Sequence, residues 1–231
     1  SKSLGNITAP QQVLNEFGAD ILRLWVIGSD YYDDLRIGRE ILVRHADHYR
    51  RLRNTLRYLL GSLDAYSNDE LIEYNNMPEL EKWVLNRVAE IRKKIVYYTE
   101  EFKLHEIYKE VYNFCNFDLS AFYFDIRKDT LYCDELSSQK RKSCVILLNV
   151  ILECLLKWYA PVLSFTTEEI TDLSNKNKKI SIHEETFSDL PENWQNETLF
   201  QKWEKLLSFR QEVNIAIEEK RSKKIIGSSL E

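Results

Sequence analysis

Glycine and proline are scarce in this sequence, with 6 and 4 copies among 231 residues. Because turn-rich β architectures use both residues in their tight turns, this scarcity argues against an all-β protein. No apolar run approaches the roughly 20 residues that span a bilayer, and the first residues show no signal-peptide pattern. We therefore expect a cytoplasmic protein that is neither secreted nor membrane-bound.

Motifs for self-contained catalysis and for metal binding are also lacking. The sequence contains no phosphate-binding P-loop, no G-x-G-x-x-G and no H-E-x-x-H. Its 4 cysteines are widely spaced and form no C-x-x-C pair, which is typical of reduced thiols and argues against zinc. His45 and His48 stand three residues apart, but two ligands on one exposed helix rarely complete a coordination sphere. We predict no metal site and no independent catalysis.

The chain is rich in residues that favour helices, and its apolar residues recur at helical spacing. The pattern predicts an all-α protein, an antiparallel helix bundle preceded by a small helical junction unit. We divide it into a junction at 1–37, a bundle at 38–175, an irregular connector at 176–197 and a final helix with the start of another region at 198–231.

Local signals predict where several elements begin and end. Thr8-x-x-Gln11 and Thr166-x-x-Glu169 resemble capping boxes that start helices. Apolar spacing predicts long helices over 39–66, 78–102, 104–126 and 137–159. One short strand is predicted at 180–182, inside the connector.

The strongest charge feature is the run RHADHYRRLRNTLR, at the centre of the first long helix. Arg50, Arg53 and Arg57 stand at i, i+3 and i+7, so they form one ridge beside an apolar stripe. Planar guanidinium groups on a rigid helix suit a set of phosphates. Pairing with acidic residues of a neighbouring helix would explain the same ridge, and this segment alone leaves both interpretations open. The net charge of −5 argues against a protein that coats nucleic acid indiscriminately.

Two smaller groups could also contact an RNA. Arg127 and Lys128 form a basic pair, and Lys157 precedes Trp158 near a helix end, where a cation and an indole could hold an unpaired base. Burial in the core is the commoner fate of such a tryptophan.

The opening SKSLGN resembles the end of the KMSKS loop of class I aminoacyl-tRNA synthetases. The continuation APQQVLNEFGADILRLWVIGSDYYDDLRIG is similar to the segment that follows this loop in bacterial isoleucyl-tRNA synthetases. RRLRNTLRYLLGSL, FYFDIRKDTLY, WYAPVLSFTTEEI and FRQEVNIAIEEKRSKKIIGSSLE match the same family in the same order, so the resemblance covers essentially the whole chain.

The resemblance implies an ATP-handling role for the first residues. Lys2 matches the second lysine of the loop, which stabilises negative charge developing on the ATP phosphates, and Ser1 and Ser3 flank it as ATP-binding positions. The complete enzyme would use ATP with magnesium. This chain lacks the H-I-G-H motif and most of an active site, so we expect a piece of a longer enzyme that is inactive alone. It also lacks the cysteine pairs that bind zinc in many relatives, and any zinc would belong to a further C-terminal region.

The resemblance further implies the partners. We expect an anticodon-binding module that binds tRNA(Ile), in a monomeric enzyme that activates isoleucine with ATP and binds neither membrane nor DNA. The resemblance also favours phosphate contacts for Arg50, Arg53 and Arg57. Further candidates for RNA contact are Arg127, Lys128, Lys157 and Trp158. The alternatives are the same module of a valyl- or leucyl-tRNA synthetase, and a non-catalytic helical scaffold for protein partners.

Overall fold

The computed structural model describes residues 8–32, 34–63, 72–174 and 180–227, and these residues form helices and loops without a strand. The all-α prediction is confirmed. The α-helices of the described residues are α1 (Pro10–Phe17), α2 (Ala19–Gly28), α3 (Arg39–Ser62), α4 (Glu79–Glu100), α5 (Leu104–Asn113), α6 (Phe124–Cys133), α7 (Gln139–Tyr159), α8 (Ser164–Ser174) and α9 (Glu197–Ser222).

The short helices α1 and α2 precede the long α3. Pro10 stands in the first turn of α1, where its fixed φ suits a helix start, and Gly18 ends that helix at a φ of 86° that favours glycine. Ala9, and not Thr8, occupies the N-cap, and Gln12 Oε1 accepts the Ala9 N–H at 3.4 Å. The capping residues were therefore predicted one position too early.

The core lies between α3, α4 and α7, and consists of the residues that repeat at helical spacing. Each of these helices turns one apolar face inward, because three- and four-residue steps keep side chains on one side. The innermost residues include Leu52, Leu56, Leu59, Trp83, Val88, Ile91, Leu147, Leu148 and Ile151, all at most 1% exposed. The long helices predicted over these segments are confirmed.

The fourth helical segment is longer than predicted and changes its winding. Residues 104–126 were expected to form one helix, but the helical run continues to Cys133. Between α5 and α6, Phe114–Tyr123 is a π-helix, whose wider turns follow an i to i+5 pattern. Bulky buried residues, including Phe114 and Phe122, fill this segment.

Ion pairs show that α4 runs antiparallel to this α5–α6 run. Lys94 near the end of α4 pairs with Glu110, Arg87 pairs with Asp118, and Glu81 near the start pairs with Arg127. From one pair to the next, the residue numbers fall along α4 while they rise along the α5–α6 run, so the two run in opposite directions. The antiparallel packing expected of a bundle is therefore present between these elements.

The strand predicted at 180–182 is wrong. A short 3-10 helix covers Ile182–Glu184, and the Glu168 carboxylate accepts hydrogen bonds from Ser181 Oγ at 2.9 Å and from the Ile182 N–H at 3.0 Å. The Glu168 carboxylate thus takes the hydrogen bond of a backbone N–H that would have paired with a neighbouring strand in a sheet.

Residues Pro191–Glu231 form a second compact unit, which we describe by itself. Its long helix α9 begins after Asn196, whose Oδ1 accepts the Leu199 N–H at 2.9 Å as an N-cap. None of the side chains of α9 is buried. The last helix predicted from the sequence is confirmed.

Candidate nucleic-acid interface

Two arginines project from the face of α3 that is turned away from the core. With Leu52 and Leu56 buried at 1% exposure, helical geometry directs Arg50 and Arg57 toward solvent. The Arg50 side chain is 72% exposed, and its Nη2 donates to Asp47 Oδ1 at 2.5 Å. Arg57 is exposed, and within the described ranges no carboxylate pairs with it. The two residues stand two helical turns, or about 10 Å along the axis, apart on α3.

Arg53, the middle residue of the predicted ridge, is held by another helix. Its Nη1 and Nη2 donate to Glu169 Oε2 and Oε1 of α8 at 2.8 and 2.7 Å, and Nη1 also donates to Tyr49 OH at 3.2 Å. The Arg53 hydrogen bonds lower the pKa of the Glu169 carboxyl, which keeps that carboxylate ionised. Since its charge is matched by an acid, Arg53 ties α3 to α8.

Arg127 has an interior place in the structure. Its side chain is 8% exposed, and its Nε and Nη2 donate to Glu81 Oε1 and Oε2 at 2.6 and 2.7 Å. Tyr123 OH donates to the same carboxylate at 3.0 Å, so the buried charges have hydrogen-bonding partners. This correction removes Arg127 from the proposed RNA contacts, because a buried, paired guanidinium cannot reach a phosphate without opening the bundle.

The adjacent Lys128 lies on the surface of α6. Its side chain is 54% exposed, and Nζ donates to Asp125 Oδ1 at 3.0 Å, one turn earlier. Solvent screens an exposed pair of this kind, so a phosphate could readily replace the carboxylate. Lys128 therefore remains a candidate contact.

Lys157 and Trp158 are also placed inside the bundle and not at an open surface. The Lys157 side chain is 17% exposed, and Nζ donates to Ser188 Oγ at 2.8 Å and lies 3.5 Å from Glu185 Oε2. Trp158 is only 5% exposed. Trp158 is therefore a core residue, which is the commoner fate of such a tryptophan. Lys157 anchors the segment that follows the 3-10 helix. We leave both out of the interface.

Two residues that we did not single out from the sequence connect α2 to the turn between α7 and α8. Asp20 is 7% exposed, and its carboxylate accepts the N–H groups of Phe165 at 3.3 Å and Thr166 at 2.9 Å. Thr166 Oγ1 also donates to it at 2.6 Å. Arg23 donates from Nε to Val162 O at 2.9 Å and from Nη2 to Pro161 O at 2.5 Å. We call Asp20 and Arg23 the α2 clamp.

The α2 clamp explains how α8 begins. The helix starts at Ser164, so Thr166 lies inside the first turn and not at the N-cap, where we predicted it. Asp20 supplies the capping carboxylate from a different helix, and its charge is favourable at the positive end of α8. Asp20 and Arg23 belong to the run GADILR, which we used for the family resemblance. A cleft of about 370 Å³ lies beside this contact, lined in part by Asp20, Tyr49, Arg53 and Thr166.

The histidine pair on α3 packs against α5. His45 Nδ1 hydrogen-bonds with Ile41 O at 2.9 Å, and His48 Nδ1 hydrogen-bonds with Tyr108 OH. Burial lowers the pKa of both imidazoles, so both are neutral near pH 7. Within the described residues, no three His, Cys, Asp or Glu side chains converge in a way that could hold a metal ion.

The ATP-binding residues predicted from the resemblance, Ser1, Lys2 and Ser3, lie outside the described residues. Their role stays a prediction.

No helix in the described part of the chain combines the length and the apolar character needed to cross a bilayer.

Comparison with known families gives two matches along the chain. The family described as anticodon-binding domain of tRNA ligase matches residues 81–231. The family described as tRNA synthetases class I (I, L, M and V) matches residues 1–38. Residues 39–80, which include α3, lie between the two matches.

Individual relatives agree. The chain is 53% identical over 234 residues to the isoleucine–tRNA ligase of Pelagibacter ubique (strain HTCC1062), with all of this chain and 26% of that relative covered. It is 48% identical over 231 residues to the isoleucine–tRNA ligase of Agrobacterium fabrum, with all of this chain and 24% of that relative covered. The chain therefore spans about a quarter of the length of these relatives.

Among solved structures, the chain is similar to the crystal structure of the ternary complex of Agrobacterium radiobacter K84 agnB2 LeuRS, tRNA and LeuAMS. The TM-score is 0.66 at 19% identity, and the match covers 85% of this chain and 22% of that one. This likeness concerns the fold of the helical bundle.

Proposed function

This chain belongs to the family of anticodon-binding domains of tRNA ligases, and from this premise we propose that it is the tRNA-binding part of an isoleucine–tRNA ligase. Its partner would be tRNA(Ile). The activity of the complete enzyme would be to activate isoleucine with ATP and to transfer it to that tRNA. The identity with isoleucine–tRNA ligases along the whole chain supports the choice of amino acid.

The observation that carries the binding proposal is the exposed face of α3. Arg50 and Arg57 stand about 10 Å apart along the axis of one helix, and Arg57 has no acidic partner within the described ranges. Arginine binds phosphate through paired N–H groups, so each side chain can hold one backbone phosphate. Lys128 on α6 adds a third exposed cation. We propose these three residues as the phosphate contacts of the bundle.

The small substrates belong to the complete enzyme. We propose that Lys2, with Ser1 and Ser3, acts on the ATP phosphates there, and that magnesium accompanies the ATP. Zinc, where it occurs, would bind outside this chain. We also propose that the enzyme is a cytoplasmic monomer.

Fluorescence anisotropy with labelled tRNA tests the proposed function. We expect tRNA(Ile) to bind the chain at 50 mM salt, and to bind about 10- to 40-fold more weakly at 200 mM, because two or three phosphate contacts release that many counterions. The valine, leucine and tyrosine tRNAs serve as comparisons, and tRNA(Ile) should bind most tightly. Tighter binding of the valine or leucine tRNA would indicate that the chain is instead the corresponding part of a valyl- or leucyl-tRNA synthetase. Absence of any RNA binding at 50 mM would contradict the proposal and favour a scaffold for protein partners.

A further inference from the structure

A groove opens between the last turns of α3 and the end of α6. Its volume is about 400 Å³, within the range of about 300–1,000 Å³ that small-ligand sites occupy. It is lined by Asn54, Arg57, Tyr58, Gly61, Ser62 and Tyr132. We call it the distal groove.

The floor of the distal groove is a bare stretch of helix. Gly61 has no side chain, and a Cβ added there would meet no atom of the described residues within 4 Å. Gly61 is the next-to-last residue of α3, and the absence of a side chain there leaves the backbone open to approach. The open space at Gly61 gives a flat ligand direct access to the α3 surface.

The two tyrosines of the groove differ in exposure. Tyr58 stacks on Phe124 with ring centroids 4.3 Å apart and an interplanar angle of 25°, so its ring is fixed by the bundle. Tyr132, whose side chain interacts with that of Tyr58, is 72% exposed and leaves much of its ring open to solvent. An exposed aromatic face of this kind stacks on an unpaired base regardless of the identity of that base.

The polar groups of the groove match the remaining parts of a nucleotide. Arg57 supplies an exposed cation for a phosphate, and Asn54 supplies an exposed carboxamide that can donate to and accept from a base edge. Lys128 stands one turn before Tyr132 on the same side of α6, so a second cation flanks the groove. A ring for stacking, an amide for the base edge and cations for phosphates are the groups that recognise unpaired RNA.

We infer that the distal groove holds one unstacked nucleotide of a single-stranded RNA loop. Tyr132 stacks on the base, Asn54 bonds to its edge, and Arg57 binds the adjoining phosphate. This assignment rests on the proposed tRNA-binding function and deepens it, because it separates recognition of a loop from general attraction to phosphates.

A steric variant tests the inference directly. Gly61→Leu fills the groove, and it should fold because leucine favours the helix more than glycine does and the site is open. Gly38→Leu is the matched control: Gly38 also faces open space, has an extended backbone, and lies at the other end of α3. The probes are a hairpin with the sequence of the tRNA(Ile) anticodon stem-loop and a fully paired RNA duplex of the same length.

We expect Gly61→Leu to weaken hairpin binding about tenfold or more, the scale of losing one stacked base, while duplex binding stays unchanged. Gly38→Leu should bind both probes like the unmodified chain. Equal hairpin affinities for the two leucine variants would overturn the groove assignment and leave the proposed function intact. If the unmodified chain binds neither probe at 50 mM salt, both proposals fail together.

The tyrosine supplies an independent readout. With 2-aminopurine placed in turn at each loop position of the hairpin, stacking on Tyr132 should quench the fluorescence of at least one position when the chain binds. Tyr132→Phe should keep that quenching, because its ring is retained, and Tyr132→Ala should abolish it. Identical quenching with Tyr132→Ala would contradict the assignment.

Discussion

Replacing Asp20 with alanine should destabilise the bundle by about 3 kcal/mol. The Asp20 carboxylate is 7% exposed and accepts two backbone N–H groups at the start of α8, at 2.9 and 3.3 Å, and the Thr166 hydroxyl at 2.6 Å. Loss of an N-cap costs about 0.5–2 kcal/mol, and loss of hydrogen bonds to a charged acceptor costs about 1.5–3 kcal/mol, with part of the effect shared. Asp20→Asn keeps one acceptor oxygen and should cost about 1 kcal/mol.

Urea unfolding, followed by tryptophan fluorescence, measures this loss. Trp83 and Trp158 are 1% and 5% exposed, so their emission reports the opening of the bundle. Glu16→Ala is the control, because it also removes a carboxylate from the junction helices. The Glu16 side chain is 48% exposed and pairs with Arg39, which is 79% exposed, so its loss should cost less than about 0.5 kcal/mol. Equal midpoints for Asp20→Ala and Glu16→Ala would refute the role of Asp20 as the cap of α8.

Three further predictions follow from buried groups. Arg127→Met should lower the free energy of unfolding by about 3–5 kcal/mol in the same assay, and adding Glu81→Leu should restore much of the loss, because the first change leaves a buried carboxylate unpaired. Burial lowers the pKa values of His45 and His48, so the unfolded chain binds more protons. Stability present at pH 7 should therefore decline as the pH falls below about 6.5, and His45→Gln plus His48→Gln should flatten that decline. Of the cysteines, Cys133 is exposed and the other three are buried, so a thiol reagent should label Cys133 quickly in the folded chain and all the cysteines after unfolding.

The helices could be predicted from the sequence because their information is local. Leu52, Leu56 and Leu59 repeat at the spacing of a helix face, and the structure buries all three at 1% exposure or less. The π-helix at Phe114–Tyr123 left no such signal, because its apolar residues fit an ordinary helix equally well. The cap of α8 was predicted at Thr166, whereas the capping group comes from Asp20, which lies 146 residues away.

The candidate interface was harder to predict for the same reason. Arg53 and Arg57 are alike in sequence, since both stand on the solvent side of one apolar stripe. In the structure only Arg53 has an acidic partner on another helix. That partner is Glu169, 116 residues away, whose carboxylate accepts hydrogen bonds from both Nη1 and Nη2 of Arg53. Arg127 is likewise neutralised by Glu81, 46 residues away. Spacing identifies which cations share a face, but only the packing of distant helices shows which of them already have a partner.

The salt dependence of tRNA(Ile) binding tests the central claim most directly. The unmodified chain and Arg50→Ala plus Arg57→Ala are titrated from 50 to 200 mM salt, with Arg39→Ala plus Arg44→Ala as a control of equal charge on the same helix. If the two proposed arginines hold phosphates, the slope of log affinity against log salt should fall by about two for the first variant, and the control should keep the full slope. Identical slopes for all three proteins would contradict the assignment of the exposed α3 face as the phosphate-binding surface.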